Sequence, residues 1–303
     1  MGKPVRVGTR GSALALAQTN LVARVLRARG IEVEVVRIRS AGDENQRDSS
    51  TLLGLGVFVK ELEQALLDGR IDLAVHSAKD LPTAETAGVS VAAFLTRGDP
   101  RDALVSRSGQ GLRDLSPGAR IGTDSPRRRA FLLAARADLD VTAIRGNVDT
   151  RLRKLEAGHY DAIVVAAVGL QRLSLGERIA ELLSPEVMLP AVGQGAIAVQ
   201  AKIGDLMLPL VTALDDPPTR QEMSAERAFL RTVGGGCRAP IAAFARSDGT
   251  RIVLDGAVIS PDGRQVVRDR MEGPADEASA LGAALAERLL ARGAAALYAE
   301  SRA

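Results

Sequence analysis

Arginine is concentrated where strands of this chain give way to helices. In the segment 122–129, GTDSPRRR, Ser125 and Pro126 are suited to the N-cap and first position of a helix, which puts the arginines at 127–129 in the first turn. Cations in a first turn oppose the helix dipole, at a cost of about 0.3–1 kcal/mol each unless an anion is bound there. The segment therefore predicts a site for carboxylate or phosphate groups, although solvated surface arginines would give the same sequence.

Two further strand-to-helix junctions carry arginine. Arg10 stands between a predicted strand at 5–9 and a helix capped by Ser12, and Arg145 and Arg151 flank the start of another predicted helix. Loops that follow strands meet at one edge of an α/β sheet, so these side chains are expected to converge. The predicted ligand is a polyanion that lies between two lobes.

A lysine and a carboxylate follow another predicted strand. Lys79 and Asp80 come after the apolar run 71–75. A carboxylate that is held ionised by a neighbouring lysine can transfer protons or stabilise a cation. A surface ion pair is the competing interpretation, and His76, which has no recognisable partner in the sequence, is interpreted as structural.

The single cysteine, Cys237, follows three glycines at 234–236. A glycine loop presents a side chain to a ligand, although a lone cysteine is more often a small buried hydrophobic residue. Neither histidine lies in a motif that would make the thiol a turnover nucleophile. Cys237 is therefore interpreted as a covalent attachment point. One cysteine and two histidines also predict that the protein has no metal site.

The composition is that of a globular chain without a dominant charge. Its 303 residues are 46% hydrophobic and 25% charged, and 40 Lys and Arg against 37 Asp and Glu leave a formal charge of +3. This small surplus and the 2% aromatic content argue against a nucleic-acid-binding protein, which needs concentrated positive charge and stacking rings. No run of eighteen apolar residues and no signal-peptide core occur, so a cytoplasmic location without membrane contact is predicted.

Strand and helix patterns alternate through the first two-thirds of the chain. The alternation restarts after a linker at 96–100 and ends near residue 190, which predicts an α/β fold of two periplasmic-binding-protein-like lobes with mixed sheets flanking a cleft. Beyond residue 217, a helix, three strands and a hairpin signal at 260–263 predict an α+β domain with a three-stranded antiparallel sheet. The expected domains are 1–96 with 196–216, then 97–195, and then 217–303.

Seven segments together resemble the porphobilinogen deaminase family. They occur in the family's order and span nearly the whole chain: GTRGSALALAQ at 8–18, FVKELE at 58–63, VHSAKDLP at 75–82, GTDSPRR at 122–128, RGNVDTR at 145–151, LPAVGQGA at 189–196 and GGCRAPI at 235–241. The resemblance implies a transferase of haem and porphyrin biosynthesis. Such an enzyme condenses four porphobilinogen molecules head to tail into the linear tetrapyrrole hydroxymethylbilane and releases ammonia at each addition.

The resemblance also implies a cofactor, a partner and an assembly state. The cofactor is a dipyrromethane made from two porphobilinogen molecules and attached to Cys237 through a thioether. The growing chain carries acetate and propionate groups, which agrees with the polyanion predicted from the arginines. The implied protein is a monomer whose partner is a small-molecule substrate.

The matching positions imply a role for each site residue, with Asp80 as the catalytic carboxylate. The cofactor would be bound by Cys237, Ser77, Lys79, Asp80, Thr123, Ser125, Arg127, Arg128 and Arg145. The substrate would be bound by Arg10, Ser12, Phe58, Arg145, Arg151, Arg172 and Gln194.

Three positions bear on how closely the chain follows the family. Phe58 matches an aromatic residue beside a mobile loop, expected within 41–56. Leu55 stands where family members often have lysine, and Asp124 stands where a small or hydroxylated residue is usual. A carboxylate at Asp124 would repel the ligand unless it points away or pairs with an arginine.

A two-lobed cytoplasmic binding protein or sensor for a small polyanion is the alternative function. It suits the two lobes equally well. It predicts reversible release of the ligand and gives no role to Cys237 or to the third domain.

Overall fold

The computed structural model describes residues 3–38, 56–205, 207–234 and 239–299. The chain forms two compact units, the first within residues 1–97 and 196–220 and the second within residues 98–195 and 221–303. The chain therefore leaves the first unit, returns to it and ends in the second.

Strands and helices alternate along the first two-thirds of the described chain. The strands are β1 (Val5–Thr9), β2 (Val33–Arg37), β3 (Leu73–Ser77), β4 (Val89–Leu95), β5 (Asp102–Ser106), β6 (Arg120–Gly122), β7 (Asp140–Thr142), β8 (Ala162–Ala166), β9 (Glu181–Leu183), β10 (Ile197–Lys202), β11 (Ile241–Ser247), β12 (Arg251–Ile259) and β13 (Val266–Pro274). The α-helices are α1 (Ala13–Ala28), α2 (Gly56–Leu67), α3 (Pro126–Ala135), α4 (Val148–Glu156), α5 (Ala167–Arg172), α6 (Leu208–Thr212), α7 (Pro217–Val233), α8 (Ala278–Ala291) and α9 (Ala296–Ala299).

The first unit contains a mixed five-stranded sheet in the order β2-β1-β3-β10-β4. β1 pairs in parallel with β2 and β3, whereas β10 runs antiparallel to β3 and β4. Val7 and Leu73 of the sheet are buried in one apolar cluster with Val22 and Leu26 of α1. Parallel pairing requires crossover connections, so the loops that follow β1 and β3 leave the sheet at the same edge.

The second unit contains a five-stranded sheet of the same arrangement, in the order β7-β6-β8-β5-β9. β6 is parallel to β7 and β8, and β5 is antiparallel to β8 and β9. Because β5 is antiparallel to β8, its first residue, Asp102, lies opposite Ala166 at the carboxyl end of β8. The start of β5 therefore lies at the same edge of the sheet as the loops after β6, β7 and β8.

A three-stranded antiparallel sheet, β11-β12-β13, completes the second unit. One face packs against α7 and α8, where Phe229 and Leu285 are fully buried beside Leu254. From its other face Phe244 and Ile259 enter the apolar core beneath the sheet of 98–195. The described sheets confirm the predicted fold class of two α/β sheets and a C-terminal α+β part.

The predicted elements agree with the observed ones to within a few residues, with one informative shift. The strand predicted at 71–75 is observed at 73–77. Ile71 is buried against Leu62 and Leu66 of α2 without joining the sheet, so its apolar character reports packing and not strand pairing. None of the helices in the described ranges has the length and apolar character that crossing a membrane would require.

Gly282 of α8 provides a test of the packing in the second unit. A Cβ atom at Gly282 would lie 2.1 Å from the carbonyl oxygen of Ala225 in α7. We expect Gly282→Ala to lower the free energy of unfolding by about 1–3 kcal/mol, because the two helices must separate to admit the methyl group. Urea unfolding measures the change. Gly176→Ala, which meets open space in the described structure, is the control, and equal stability of the two variants would contradict the prediction.

Candidate active site

The carboxyl ends of β1 and β3 bring predicted site residues together in the first unit. The two strands are parallel neighbours, so the loop after β1 and the turn after β3 lie side by side. That turn is a single 3-10 turn at 78–80, directly after the strand. The predicted residues found at this edge are Arg10, Ser12, Ser77, Lys79 and Asp80.

Two hydroxyl groups at this edge are held by hydrogen bonds. Ser12 is the N-cap of α1, and its Oγ accepts from the backbone N–H of Ala15 at 3.3 Å. The Oγ of Ser77 lies 2.8 Å from Nε2 and 3.2 Å from Oε1 of Gln18, a buried residue of α1. Because Ser12 uses its oxygen as an acceptor, its own proton can be donated to a carboxylate of a ligand.

Asp80 is the acidic group of this edge. Burial raises the pKa of the Asp80 carboxyl above its ordinary value, and the positive charges of Lys79 and Arg10 partly oppose this increase. A carboxyl group between these opposing influences can carry negative charge beside a developing cation and can also take up a proton. The environment of Asp80 therefore suits acid–base work and cation stabilisation.

His76, on β3, is buried and neutral. Burial lowers the pKa of His76 from 6.5 to about 4; a hydrogen bond with Gln200 opposes the decrease, and the charge of Arg10 adds to it. A proton on this imidazole would therefore have to be accommodated in the interior without solvent. The structure agrees with the interpretation of His76 as a structural residue.

The stability of the protein should fall in acid because of His76. The pKa of the unfolded chain's histidine is higher than that of His76 in the fold, so the unfolded state takes up the proton first as the pH falls from 6.5 to 4. Over that window His76 should cost about 3 kcal/mol of stability. Urea unfolding at pH 7 and pH 4 should show this loss in the wild type and not in His76→Gln. His159→Gln, at an exposed position, should retain the full loss, and an unchanged pH dependence in His76→Gln would contradict the assignment.

In the second unit, Arg127 and Arg128 bind one buried carboxylate, that of Asp102. Arg127 Nη2 donates to Oδ2 at 2.7 Å, and Arg128 Nε donates to Oδ1 at 3.0 Å. Gln194 Nε2 donates to the same Oδ1 at 2.9 Å. We refer to Asp102, Arg127, Arg128 and Gln194 as the Asp102 cluster.

The Asp102 cluster contains two guanidinium groups and one carboxylate. Burial acts to raise the pKa of Asp102, but the charges of Arg127 and Arg128 outweigh it and lower the pKa to about 2. The cluster is thus buried with one more positive than negative charge, a costly arrangement unless an anion binds. Arg127 Nε is also buried and meets no hydrogen-bond partner among the described residues. Both observations indicate a binding position for an anionic group.

The third arginine of the run points elsewhere. Arg129 Nη1 donates to the carbonyl oxygen of Val141 in β7. In a helix with 3.6 residues per turn, Arg127 and Arg129 project from nearly opposite sides, which agrees with the separate contact of Arg129. The run therefore contributes two residues to the candidate site and one to the packing of α3 on β7.

Two hydroxyl groups stand at the start of α3. Ser125 is the N-cap, and its Oγ accepts from the N–H of Arg128 at 3.4 Å. Thr123 Oγ accepts from the N–H of Ser125 at 3.2 Å. As at Ser12, each oxygen is used as an acceptor, so each proton can be donated to a ligand.

Arg145 and Arg151 follow β7 at the same edge. Arg145 is exposed, and Arg151 Nε donates to the carbonyl oxygen of Gly146 at 2.8 Å. Burial and the neighbouring charge of Arg128 lower the pKa of Arg151, whereas the charge of Asp124 raises it. Asp124 is itself exposed and acts on Arg151 as a partial counter-charge. The carboxylate of Asp124 therefore interacts favourably with Arg151 and does not act only to repel the ligand.

Arg172, at the end of α5, is the remaining predicted arginine. Its Nη2 donates to the carbonyl oxygen of Gly195 at 2.7 Å, and burial lowers its pKa to about 10. Gly195 adjoins Gln194 of the Asp102 cluster. Arg172 therefore contacts the loop that carries Gln194 and holds the backbone of that loop.

Two predicted residues fall partly or wholly outside the described structure. Cys237 belongs to the segment 235–238, which is outside the described residues. The mobile loop expected at 41–56, with Leu55, is also outside them except for its last residue, which begins α2. Phe58 belongs to the first turn of α2 by its backbone, and its side chain is not among those described.

Sequence inspection missed two residues of these edges, Asp102 and Gln18. Asp102 is the first residue of an apolar strand and follows the linker at 96–100. The sequence therefore does not distinguish it from a solvated linker residue. Gln18 lies on the buried face of an amphipathic helix, where a polar residue is the one signal that could have drawn attention to it. Both act on predicted site residues through hydrogen bonds that only the fold reveals.

Two family models match the chain. The model described as "Porphobilinogen deaminase, dipyromethane cofactor binding domain" matches residues 5–208. The model described as "Porphobilinogen deaminase, C-terminal domain" matches residues 220–291. Together they extend over both units of the structure.

Curated proteins match at full length. A porphobilinogen deaminase of Roseiflexus castenholzii is 49% identical over 99% of this chain and 100% of its own. One from Acidothermus cellulolyticus is 48% identical over 96% of this chain and 89% of its own. Among solved structures, a periplasmic substrate-binding protein of an ABC transporter from Coxiella burnetii is similar to 69% of this chain and 91% of its own, with 16% identity and a TM-score of 0.43.

Proposed function

The chain belongs to the porphobilinogen deaminase family, and from that premise we propose how its own residues divide the work of the reaction. The protein is a transferase, a hydroxymethylbilane synthase. It condenses four porphobilinogen molecules into hydroxymethylbilane, with release of ammonia at each addition, in tetrapyrrole biosynthesis. The full-length identity of 49% to a porphobilinogen deaminase carries this conclusion.

The dipyrromethane cofactor supplies, when bound, a covalent pyrrole primer to which substrate units are added. The residues present fit such a group. Its acetate and propionate side chains are anions, and the Asp102 cluster holds a buried surplus of positive charge with an unpartnered Arg127 Nε among the described residues. We assign the binding of these carboxylates to Ser77, Lys79, Thr123, Ser125, Arg127, Arg128 and Arg145, the pyrrole nitrogens of the cofactor to Asp80, and the thioether to Cys237.

Asp80 is proposed as the catalytic carboxylate. Its negative charge stabilises positive charge on pyrrole nitrogens, and its raised pKa supports proton exchange at the carboxyl oxygens during deamination and bond formation. The positive charges of Lys79 and Arg10 favour the ionised form of the group and partly oppose the effect of burial. His76 behind it remains neutral at physiological pH and does not exchange protons.

The remaining predicted residues, together with Arg145, are proposed to bind substrate. Guanidinium groups bind carboxylates with two parallel hydrogen bonds, and each porphobilinogen carries two carboxylates. Hydroxyl groups that already accept from the backbone can donate to the same oxygens. The proposed substrate residues are Arg10, Ser12, Phe58, Arg145, Arg151, Arg172 and Gln194.

The proposed domain boundaries are those that the sequence predicts. Domains 1–96 with 196–216, 97–195 and 217–303 are supported by the three sheets, of which the second and third share one compact unit. A monomeric, cytoplasmic protein that needs neither nucleic acid nor membrane is the corresponding proposal for its assembly and location.

Stoichiometry is the test of the proposed reaction. Purified protein incubated with porphobilinogen should release one ammonia for each porphobilinogen consumed and accumulate a linear tetrapyrrole. A binding protein or sensor for a small polyanion would instead bind porphobilinogen reversibly and release it unchanged. Recovery of intact porphobilinogen from a folded preparation that carries its primer would overturn the proposal.

A further inference from the structure

We propose that Asp102 is a positioning residue for the cofactor: it fixes the orientation of Arg127 and Arg128 and sets the net charge that they present to a cofactor carboxylate. The inference rests on the proposed function, since it concerns how that cofactor is bound. Asp102 itself does not touch the cofactor. It acts through the two guanidinium groups.

Both carboxylate oxygens of Asp102 are engaged in hydrogen bonds within the Asp102 cluster. Its Oδ2 accepts from Arg127, and its Oδ1 accepts from Arg128 Nε and from Gln194, with Arg128 Nη2 also at 2.8 Å. The side chain is fully buried and remains ionised at neutral pH. A carboxylate with both oxygens engaged by cations cannot serve as a general base or contact a ligand.

Among the residues that the structure describes, Asp102 is also the one side chain to which both arginines donate hydrogen bonds. Arg127 is otherwise held by Nη1, which donates to the carbonyl oxygen of Leu189 at 2.6 Å. Arg128 is otherwise held by Nη1, which donates to the carbonyl oxygen of Val164 at 3.0 Å. Each carbonyl fixes one nitrogen of a planar group, and a second contact at another nitrogen is needed to fix its plane. Asp102 supplies that second contact to both.

Electrostatics gives Asp102 a second effect. Two guanidinium groups buried side by side repel each other. Burial lowers the pKa of Arg127, Asp102 opposes this decrease, and the charge of Arg128 adds to it. One shared carboxylate reduces the cluster from two positive charges to one. The cluster is then matched to a single carboxylate of the ligand, which is the charge that one acetate or propionate group supplies.

Asp102 is paired with these arginines and not with its sequence neighbour. Arg101, the adjacent cation, forms its ion pair with Asp99 at 2.7 Å. Gln194 links the cluster to the chain before β5, because its Nε2 also donates to the carbonyl oxygen of Pro100 at 2.7 Å. The start of β5 and the 193–195 loop are therefore held at fixed positions relative to α3.

Asp255 offers a matched control in the same unit. Its carboxylate is buried on β12 and accepts from Arg246 Nη2 at 2.7 Å and from Arg270 Nε at 2.9 Å. Asp255→Asn thus removes the same charge from another buried carboxylate that forms ion pairs with arginines, here Arg246, Arg268 and Arg270. None of the arginines bound to Asp255 is assigned to the cofactor or the substrate.

The experiment compares Asp102→Asn and Asp255→Asn with the wild type as full-length chains. Intact-protein mass spectra measure the fraction that carries the covalent dipyrromethane as purified and its increase during incubation with porphobilinogen, and thermal melting reports folding. Both variants should melt at lower temperature. The rate of covalent loading should fall by roughly 10- to 100-fold in Asp102→Asn, the factor that losing one charge-assisted hydrogen bond produces, and remain at the wild-type rate in Asp255→Asn.

Each result decides the proposal. Wild-type loading in folded Asp102→Asn, or an equal loss of loading in Asp255→Asn, would overturn the positioning role and leave the proposed function intact. A wild type that never acquires the covalent mass would overturn the proposed function and the positioning role with it. If Asp102→Asn does not fold, Asp102→Glu keeps the charge but displaces the carboxylate by one methylene; slower loading in this folded variant supports the role, and wild-type loading overturns it.

Discussion

Asp80→Ala is expected to abolish turnover, with kcat lowered by roughly 10²- to 10⁴-fold, the range that a positioned acid–base group contributes. The variant loses the carboxylate that the reaction needs beside its cationic pyrrole nitrogens. It also removes the negative charge on which the positive charges of Lys79 and Arg10 act. The alanine variant can retain the covalent primer or lose its assembly; turnover is lost in either case.

A charge-conserving variant tests whether the reaction needs only a carboxylate or needs it at the native position. Asp80→Glu keeps the anion and moves it by one methylene, so a measurable part of the activity should remain. Steady-state consumption of porphobilinogen by both variants, with primer occupancy from intact mass, measures the difference. Normal turnover by Asp80→Ala would remove the carboxylate from the mechanism.

Asp72 is the matched control for Asp80. It lies just before the other end of the same strand, β3, and accepts hydrogen bonds from the backbone N–H of Arg6 at 2.7 Å and from Arg6 Nη2 at 2.6 Å. Asp72→Ala removes a half-buried carboxylate and an ion pair, so it should cost stability. It should leave kcat at the wild-type value because Asp72 lies at the edge of the sheet away from the proposed chemistry.

The alternation of strands and helices could be predicted from sequence because local patterns encode it. Ser12 and Ser125 are N-caps where the sequence indicates them, and the glycines at 30 and 69 adopt positive φ two residues after the ends of α1 and α2. The position of β3 was two residues off because Ile71 is apolar for a tertiary reason, its contact with α2. Local periodicity cannot distinguish burial against a helix from pairing in a sheet.

The site was predictable at its ligand-facing residues and not at the residues behind them. Motifs carried over from the family named Arg127 and Arg128, but the sequence gives no sign that they share a carboxylate 25 or more positions away at Asp102. The structure also divides the arginine run, because Arg129 faces β7. Long-range hydrogen bonds of this kind depend on the order of strands in the sheet, in which β5 lies between β8 and β9.

Cys237→Ser is expected to leave the protein without its primer and therefore without activity. The thioether forms at sulfur because a thiol is partly ionised near neutral pH and intrinsically nucleophilic, whereas a serine hydroxyl without an activating base is neither. Wild-type protein should show a mass excess that matches two linked pyrrole units, and Cys237→Ser should show the mass of the bare chain. Wild-type activity in the serine variant would refute the attachment assignment.

The single cysteine of the chain makes an independent check possible. With one thiol in 303 residues, denatured wild-type protein should titrate no thiol when the primer is attached and one thiol when it is not. Asp102→Asn should then titrate a thiol in proportion to its missing mass excess, whereas Asp255→Asn should titrate none. The thiol count reports whether the sulfur is free, and the mass excess reports whether the primer is attached. Loss of the thiol together with gain of the mass would place the primer on sulfur. A loaded chain that still titrates one thiol would place the primer on another residue.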